Sequence, residues 1–242
     1  IIKAGRSETL SVPDAAFIAS AEVSRDGQDL ILTAPDGAVV IIEGYFSAEP
    51  QPMIVSPDGL ALTPQLVQSF VHHAGPVQLA QAGGALDDAS PIGTVKEVSG
   101  QATVTRTDGT TVTITAGTVI YQGDVIETAA NGAVNIVFVD ESSFSISNSA
   151  RLAIDEYVFD PQSHGGESNF SMLRGVFIYT SGMIGREDPD DVQISTPTGS
   201  IGIRGTVIAG NVDTGEYTVV EGAIVLRALN GDEITLDTQY QT

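Results

Sequence analysis

Cysteine and tryptophan are absent, and lysine occurs only at Lys3 and Lys96. Without cysteine there is no disulfide framework, no thiolate metal site and no thiol nucleophile. The compartment stays open, because cytosolic, periplasmic and surface proteins can all lack it. Ten basic residues stand against thirty-one acidic ones, a net charge of −21, although charged residues make up only 17% of the chain. That share is below the usual quarter, so the imbalance comes from missing cations. A surface this negative repels phosphate backbones and anionic lipid heads, which excludes nucleic acid as a partner. No apolar run approaches the roughly 18 residues needed to cross a bilayer, so direct membrane insertion is not expected. No signal peptide is visible. The chain begins at Ile1 rather than Met and is expected to be a segment of something longer.

What is present is material for a core. Apolar residues reach 42% of 242 residues, enough to repay the entropy of ordering in one large β domain or two small ones. The strongest local signal is hairpin chemistry. At Thr107-Asp108-Gly109 a two-residue loop would set Val104 and Val112 on opposite faces. A three-residue loop with Gly109 in the left-handed position pairs them and keeps one apolar face. The same arithmetic pairs Leu226 with Ile234 and Ile224 with Leu236 across Leu229-Asn230-Gly231. Across Pro35-Asp36-Gly37 it pairs Leu32 with Val40 and Leu30 with Ile42, and the fixed φ of Pro35 suits the first turn position. Further strand-like runs are Asn135 to Val139, Ser143 to Ser147, Arg174 to Tyr179, Val192 to Ser195 and Tyr217 to Val220.

One helix interrupts this β pattern. Thr63-Pro64 reads as a cap followed by proline at the first helical position, leading into Leu66, Val67, Phe70 and Val71 at helical spacing. It is expected to end near Gly75-Pro76. Residues 78–90 are rich in Ala, Gly, Gln and Asp with few large apolar groups and read as a linker. The expected organisation is residues 1–77, the linker 78–90, and residues 91–242.

Several stretches form an ordered series. Gly93 to Val95 opens it, followed by Gly100 to Arg106 and then Gly123-Asp124-Val125-Ile126-Glu127-Thr128. An apolar strand ending in an acidic turn, Ile136 to Glu141, comes next, and then a strand over Leu173 to Phe177. The series closes on Thr196-Pro197-Thr198-Gly199-Ser200-Ile201-Gly202-Ile203-Arg204-Gly205-Thr206. In order and spacing this resembles the FecR domain, named after the ferric-citrate signalling regulator. The family pattern falls on Gly123, Asp124, Thr128, Thr196, Pro197, Arg204, Gly205 and Thr206. In residues 1–77, Gly27-Gln28-Asp29-Leu30, Asp36-Gly37 and Tyr45-Phe46 resemble the prefix domain at the N-termini of large biofilm-associated adhesins.

These resemblances imply an all-β chain: a FecR-like β-sandwich or β-roll preceded by a small hairpin-rich prefix with one short helix. They imply no catalytic residue and no cofactor. The role they point to is the N-terminal scaffold or retention module of a large type I secreted surface protein. It would act through contacts with envelope or secretion-channel proteins, or with copies of itself, in the periplasm, at the outer membrane or on the surface of a Gram-negative bacterium. A second reading is a periplasmic FecR-like signalling or carbohydrate-binding module, in which Tyr121, Tyr157 and Tyr179 would line a groove. Some retention modules are released by a protease cutting at an Ala-Ala pair, for which Ala15-Ala16 and Ala129-Ala130 are the candidates.

Catalytic chemistry has few footholds. His72 and His73, adjacent at a helix end, point to different faces and better complement the helix dipole than chelate an ion; His164 reads as a polar loop residue. Histidine clusters with zinc-ligand spacing are missing. Glu187, Asp188, Asp190 and Asp191 place four carboxylates in five residues, a calcium candidate because Ca²⁺ takes six to eight oxygens. EF-hand and β-roll repeat spacings are missing, so a solvated acidic loop is the competing reading. Arg204 reads first as a charge-assisted contact to a carboxylate or carbonyl.

Overall fold

A computed structural model describes residues 1–4, 9–12, 15–71, 90–240 and 242. The expected linker, His72, His73 and the expected helix end at Gly75-Pro76 lie outside the described residues, Ser90 excepted. The chain forms two compact units, one drawn from Ile1–Val77 with Thr107–Gly109, the other from Gln78–Arg106 and Thr110–Thr242.

The first unit holds β1 (Ile2–Lys3), β2 (Thr9–Ser11), α1 (Ala15–Ser20), β3 (Glu22–Asp26), β4 (Asp29–Thr33), β5 (Val39–Glu43), β6 (Met53–Val55), β7 (Ala61–Leu62) and α2 (Pro64–Val71). Its two small sheets run β1-β5-β4-β3 and β2-β6-β7. The β4–β5 register sets Leu30 against Ile42 and Leu32 against Val40, as the three-residue loop requires. Helix α2 starts where Thr63 Oγ1 accepts the Leu66 N–H at 3.2 Å, satisfying one of the orphan donors of the first turn. Its face of Leu66, Val67, Phe70 and Val71 is buried. Asp29 accepts the Gly44 N–H at 2.7 Å, and Gln28 O accepts the Phe46 N–H at 3.0 Å. The Gly27-to-Leu30 stretch is thus tied to the Tyr45-Phe46 pair. Tyr45 is fully buried, and burial pushes its hydroxyl well above the usual tyrosine range.

The second unit holds β8 (Gly93–Ser99), β9 (Ala102–Thr105), β10 (Thr111–Thr113), β11 (Val119–Ile120), β12 (Val125–Thr128), β13 (Ala133–Phe138), β14 (Ser143–Ile146), β15 (Arg151–Phe159), β16 (Gly166–Arg174), β17 (Val176–Thr180), α3 (Met183–Glu187), β18 (Val192–Thr196), β19 (Gly199–Asn211), β20 (Glu216–Ala228) and β21 (Glu233–Leu236). They form one 14-stranded sheet in the order β10-β9-β12-β15-β16-β18-β19-β17-β14-β13-β8-β11, with β20 added to β19 and β21 to β20. Strands β8 and β9 are joined by two residues yet lie near opposite ends of that path. Strands β11 and β12, joined by four residues, are placed likewise. A sheet whose ends are tied so closely must curl until its inner face closes on itself. The inner face is one apolar cluster drawn from strands along the whole path, among them Val104, Ile126, Ile154, Phe170, Phe144 and Ile136.

The predicted registers Val104–Val112, Leu226–Ile234 and Ile224–Leu236 are present. The strand expected over Leu173 to Phe177 is broken at Gly175. This residue sits at φ +97°, where a Cβ would run into Ala150, so β16 ends and β17 begins around it. Helix α2 is accompanied by two shorter ones, α1 and α3.

Candidate functional site

Four polar residues of the sequence motifs, Asp124, Thr128, Thr196 and Thr206, turn inward. Asp124 is 1% exposed, is ion-paired with the Arg106 guanidinium and accepts the Tyr121 N–H at 2.8 Å. Arg106 also donates to Val119 O at 2.9 Å and lies over the Tyr121 ring, 5.0 Å from its centre. Arg106 follows β9 and Val119 belongs to β11, so this cluster fastens the two ends of the curled sheet. Burial pushes the Asp124 carboxyl up to about 6, opposed by the Tyr121 N–H and Arg106. Gly123 takes φ +83° at the turn and donates to Ile154 O at 2.8 Å.

Thr128 donates to Ser147 O at 2.5 Å and accepts the Ala150 N–H at 2.9 Å. Thr196 donates to Gly199 O at 3.1 Å across the turn that holds the buried Pro197. Thr206 donates to Ala223 O at 2.9 Å, and its N–H reaches Ser181 Oγ at 3.0 Å. Gly205 adopts φ +56° beside it. Arg204 is half exposed and 3.7 Å from the exposed Asp190 Oδ1, a surface ion pair rather than a charge-assisted hydrogen bond.

Sequence reasoning missed Asp140 as a centre, although it lies in the acidic turn after β13. Its carboxylate is fully buried and accepts Tyr157 Oη at 2.5 Å, Ser142 Oγ at 2.5 Å, Ser142 N at 2.9 Å and Ile184 N at 3.4 Å. Its carbonyl accepts the Met183 N–H at 2.7 Å, so one residue docks the start of α3. Burial first, and Asp140 second, push the Tyr157 and Tyr179 hydroxyls upward. Both rings are buried in the core and do not form a groove with the half-buried Tyr121.

The acidic run around α3 is divided among local tasks. Asp188 Oδ1 accepts the Asp190 N–H at 3.0 Å, and Asp190 faces Arg204. Asp191 is pushed up by burial, then by Asp188, Glu167 and Asp190; the Glu187 side chain lies outside the described set. Among the described residues no three His, Asp or Glu side chains are placed to hold a metal ion. His164 sits in a loop at φ +59° and helps hold the exposed Asp160 carboxyl below its usual range, after the Gln162 N–H and the Ser163 hydroxyl. Ala129-Ala130 forms the turn between β12 and β13, and Ala15-Ala16 opens α1.

Two outward features remain. On β13, β14, β17 and β19 the register aligns Asn135–Ser145–Ile178–Ala209 and Val137–Ser143–Thr180–Val207. These two rows face away from the core and carry no charge. The second feature is a cavity of about 280 Å³ between the Thr196–Ile201 turn and the β20–β21 hairpin. It is lined by Ile201, Tyr217, Leu226 and Ile234 together with Thr196, Thr198, Arg227 and Asp232.

The FecR protein family model matches residues 124–225, from the acid of the Gly123-to-Thr128 motif to β20. No curated protein matches the chain.

Proposed function

We propose that this chain is a non-catalytic contact module of the bacterial cell envelope, the N-terminal scaffold or retention segment of a large type I secreted surface protein. The observation that carries the contact role is the pair of uncharged rows across β13, β14, β17 and β19. In a molecule of net charge −21, an uncharged patch of four strands, bounded by Glu97 beside Asn135 on β8, avoids at its centre the desolvation cost that charges impose on an interface. The inward use of Asp124, Thr128, Asp140 and Thr206 fits the same role, because it stiffens the surface that is presented. The retention role draws on the prefix-like motif at Gly27 to Leu30, Asp36-Gly37 and Tyr45-Phe46. Its mechanism is mechanical: a folded, curled sheet resists passage through an outer-membrane channel while the remainder is exported. Partners are envelope or secretion-channel proteins, or further copies of the chain.

The FecR match over residues 124–225 favours a second reading, a periplasmic signalling module. Among the described residues no helix is long and apolar enough to cross a membrane. Fractionation of cells producing the full-length protein separates the two, using antibodies against this segment and against the far C-terminus. The retention reading predicts a segment protected until the outer membrane is opened, with the C-terminus already exposed. Exposure of both ends together contradicts it.

A further inference from the structure

Burial decays along one row of the second unit. The registers place Ile201 beside Leu226 and Leu226 beside Ile234, one apolar side chain on each of β19, β20 and β21. Ile201 is 1% exposed, Leu226 is half-buried and Ile234 is 60% exposed. The row loses its cover because among the described residues β21 pairs with β20 alone. The cavity lies against these three side chains, so apolar surface and unfilled volume meet at a free strand edge.

The backbone of that edge is arranged to receive a strand. Ala228 N donates to Asp232 O at 2.8 Å, which fixes Asp232, Ile234 and Leu236 as the residues bonded to β20. In an antiparallel ladder the alternate residues point the other way. The N–H and C=O groups of Glu233 and Thr235 therefore face outward. Main-chain bonds to such an edge supply affinity, and a pocket for an alternate side chain supplies selectivity.

Charge decides the occupant. Asp232, Glu233 and Asp237 line the hairpin and its edge, while Arg227, which also lines the cavity, is ion-paired with Glu233 at 2.7 Å. A second copy pairing through its own β21 would set like charges across the new ladder, which is destabilising. A segment with Lys or Arg flanking an apolar residue meets the same edge with opposite charge.

We propose that β21 takes up an extended basic segment of a partner protein as an additional strand. An apolar side chain of that segment would cover Ile234 and enter the cavity beside Leu226 and Tyr217. The proposal deepens the contact-module reading and rests on it.

The probe is the capped nonapeptide Lys-Val-Lys-Thr-Leu-Thr-Lys-Val-Lys, titrated into the whole chain and followed by fluorescence anisotropy and amide NMR. The expected result is saturable one-site binding with shifts concentrated at Glu233, Ile234 and Thr235. Replacing the central leucine by aspartate, or every lysine by glutamate, should weaken binding at least tenfold. Thr235→Pro removes an outward N–H without touching the ladder to β20 and should weaken it as much. N-methylating alternate peptide residues tests the same bonds with the protein untouched. No saturable binding, or equal binding of the parent and N-methylated peptides, overturns the proposal. A peptide-independent dimer abolished by Thr235→Pro overturns it in favour of a second copy. Failure here leaves the uncharged face untouched, because that face is read out by cross-linking from Ile178.

Discussion

Asp124 shows how a motif residue can be costly and still hold the fold together. Its carboxyl rises from 3.8 to about 6 because burial outweighs the help of Tyr121 N–H and Arg106. Well below pH 3.8 the group is protonated in both folded and unfolded chains. As pH rises towards 6 the unfolded chain releases its proton first, so this group's contribution to stability falls by about 3 kcal/mol and then stays constant. Asp124→Asn removes that dependence. Its urea midpoint relative to wild type should therefore be higher at pH 7 than at pH 4; a difference independent of pH would contradict the assignment. Thr128→Val keeps the shape but leaves Ser147 O and Ala150 N without their partner. It should cost about 2 kcal/mol in urea unfolding at any pH. The sequence marked both residues through the Gly-Asp-x-Ile-x-Thr spacing. It could not name Arg106 or Ser147 as their partners, since those contacts exist only once the sheet has curled. Asp140 was hidden for a related reason: an acid after a strand reads as solvated until Tyr157 and α3 close over it.

At the scale of elements, hairpins were the legible part. Three-residue loops ending in Gly37, Gly109 and Gly231 set the register of both strands at once, and the alternation of apolar residues agrees with that register. Strand β16 was harder to see. Ser168 and Ser171 are buried in it and blur the alternation, while its parallel pairing to β18 leaves no hairpin signal. Helices α1 and α3 are too short to show a period. Strand β19 is likewise clearer in the structure. It pairs with β18, β17 and β20, with register shifts between Arg204 and Ile208. Gly222, at φ +84°, packs so closely on Thr206 and Gly205 that a Cβ would meet Thr206 Oγ1 and Gly205 O. Gly222→Ala should cost about 3 kcal/mol, from backbone strain plus displacement of the Thr206 bond to Ala223 O. A thermal shift under a degree would show that the β19–β20 bend is more adaptable than this.

For the whole molecule, charge and curl set the behaviour. Thirty-one acids against ten bases repel one another across a folded surface, and salt screens that repulsion. Raising NaCl from about 20 to about 500 mM should stabilise the chain by about 1 kcal/mol, read as a rise in Tm of about 2–4 °C. A fall would mean that ion pairs such as Arg106–Asp124 outweigh the net repulsion. The sequence showed this charge and the β class but not where charge was missing, because the two uncharged rows come from four strands brought together by the topology. The central claim is that this face makes the contacts through which the chain works. The most direct test places a photo-cross-linking residue at Ile178, or at Thr214 in the exposed β19–β20 turn, in living cells producing the full-length protein. The account predicts a discrete envelope-protein adduct from Ile178 that Ser145→Lys abolishes, and no such adduct from Thr214. Equal labelling from both sites, or none from Ile178, would contradict it.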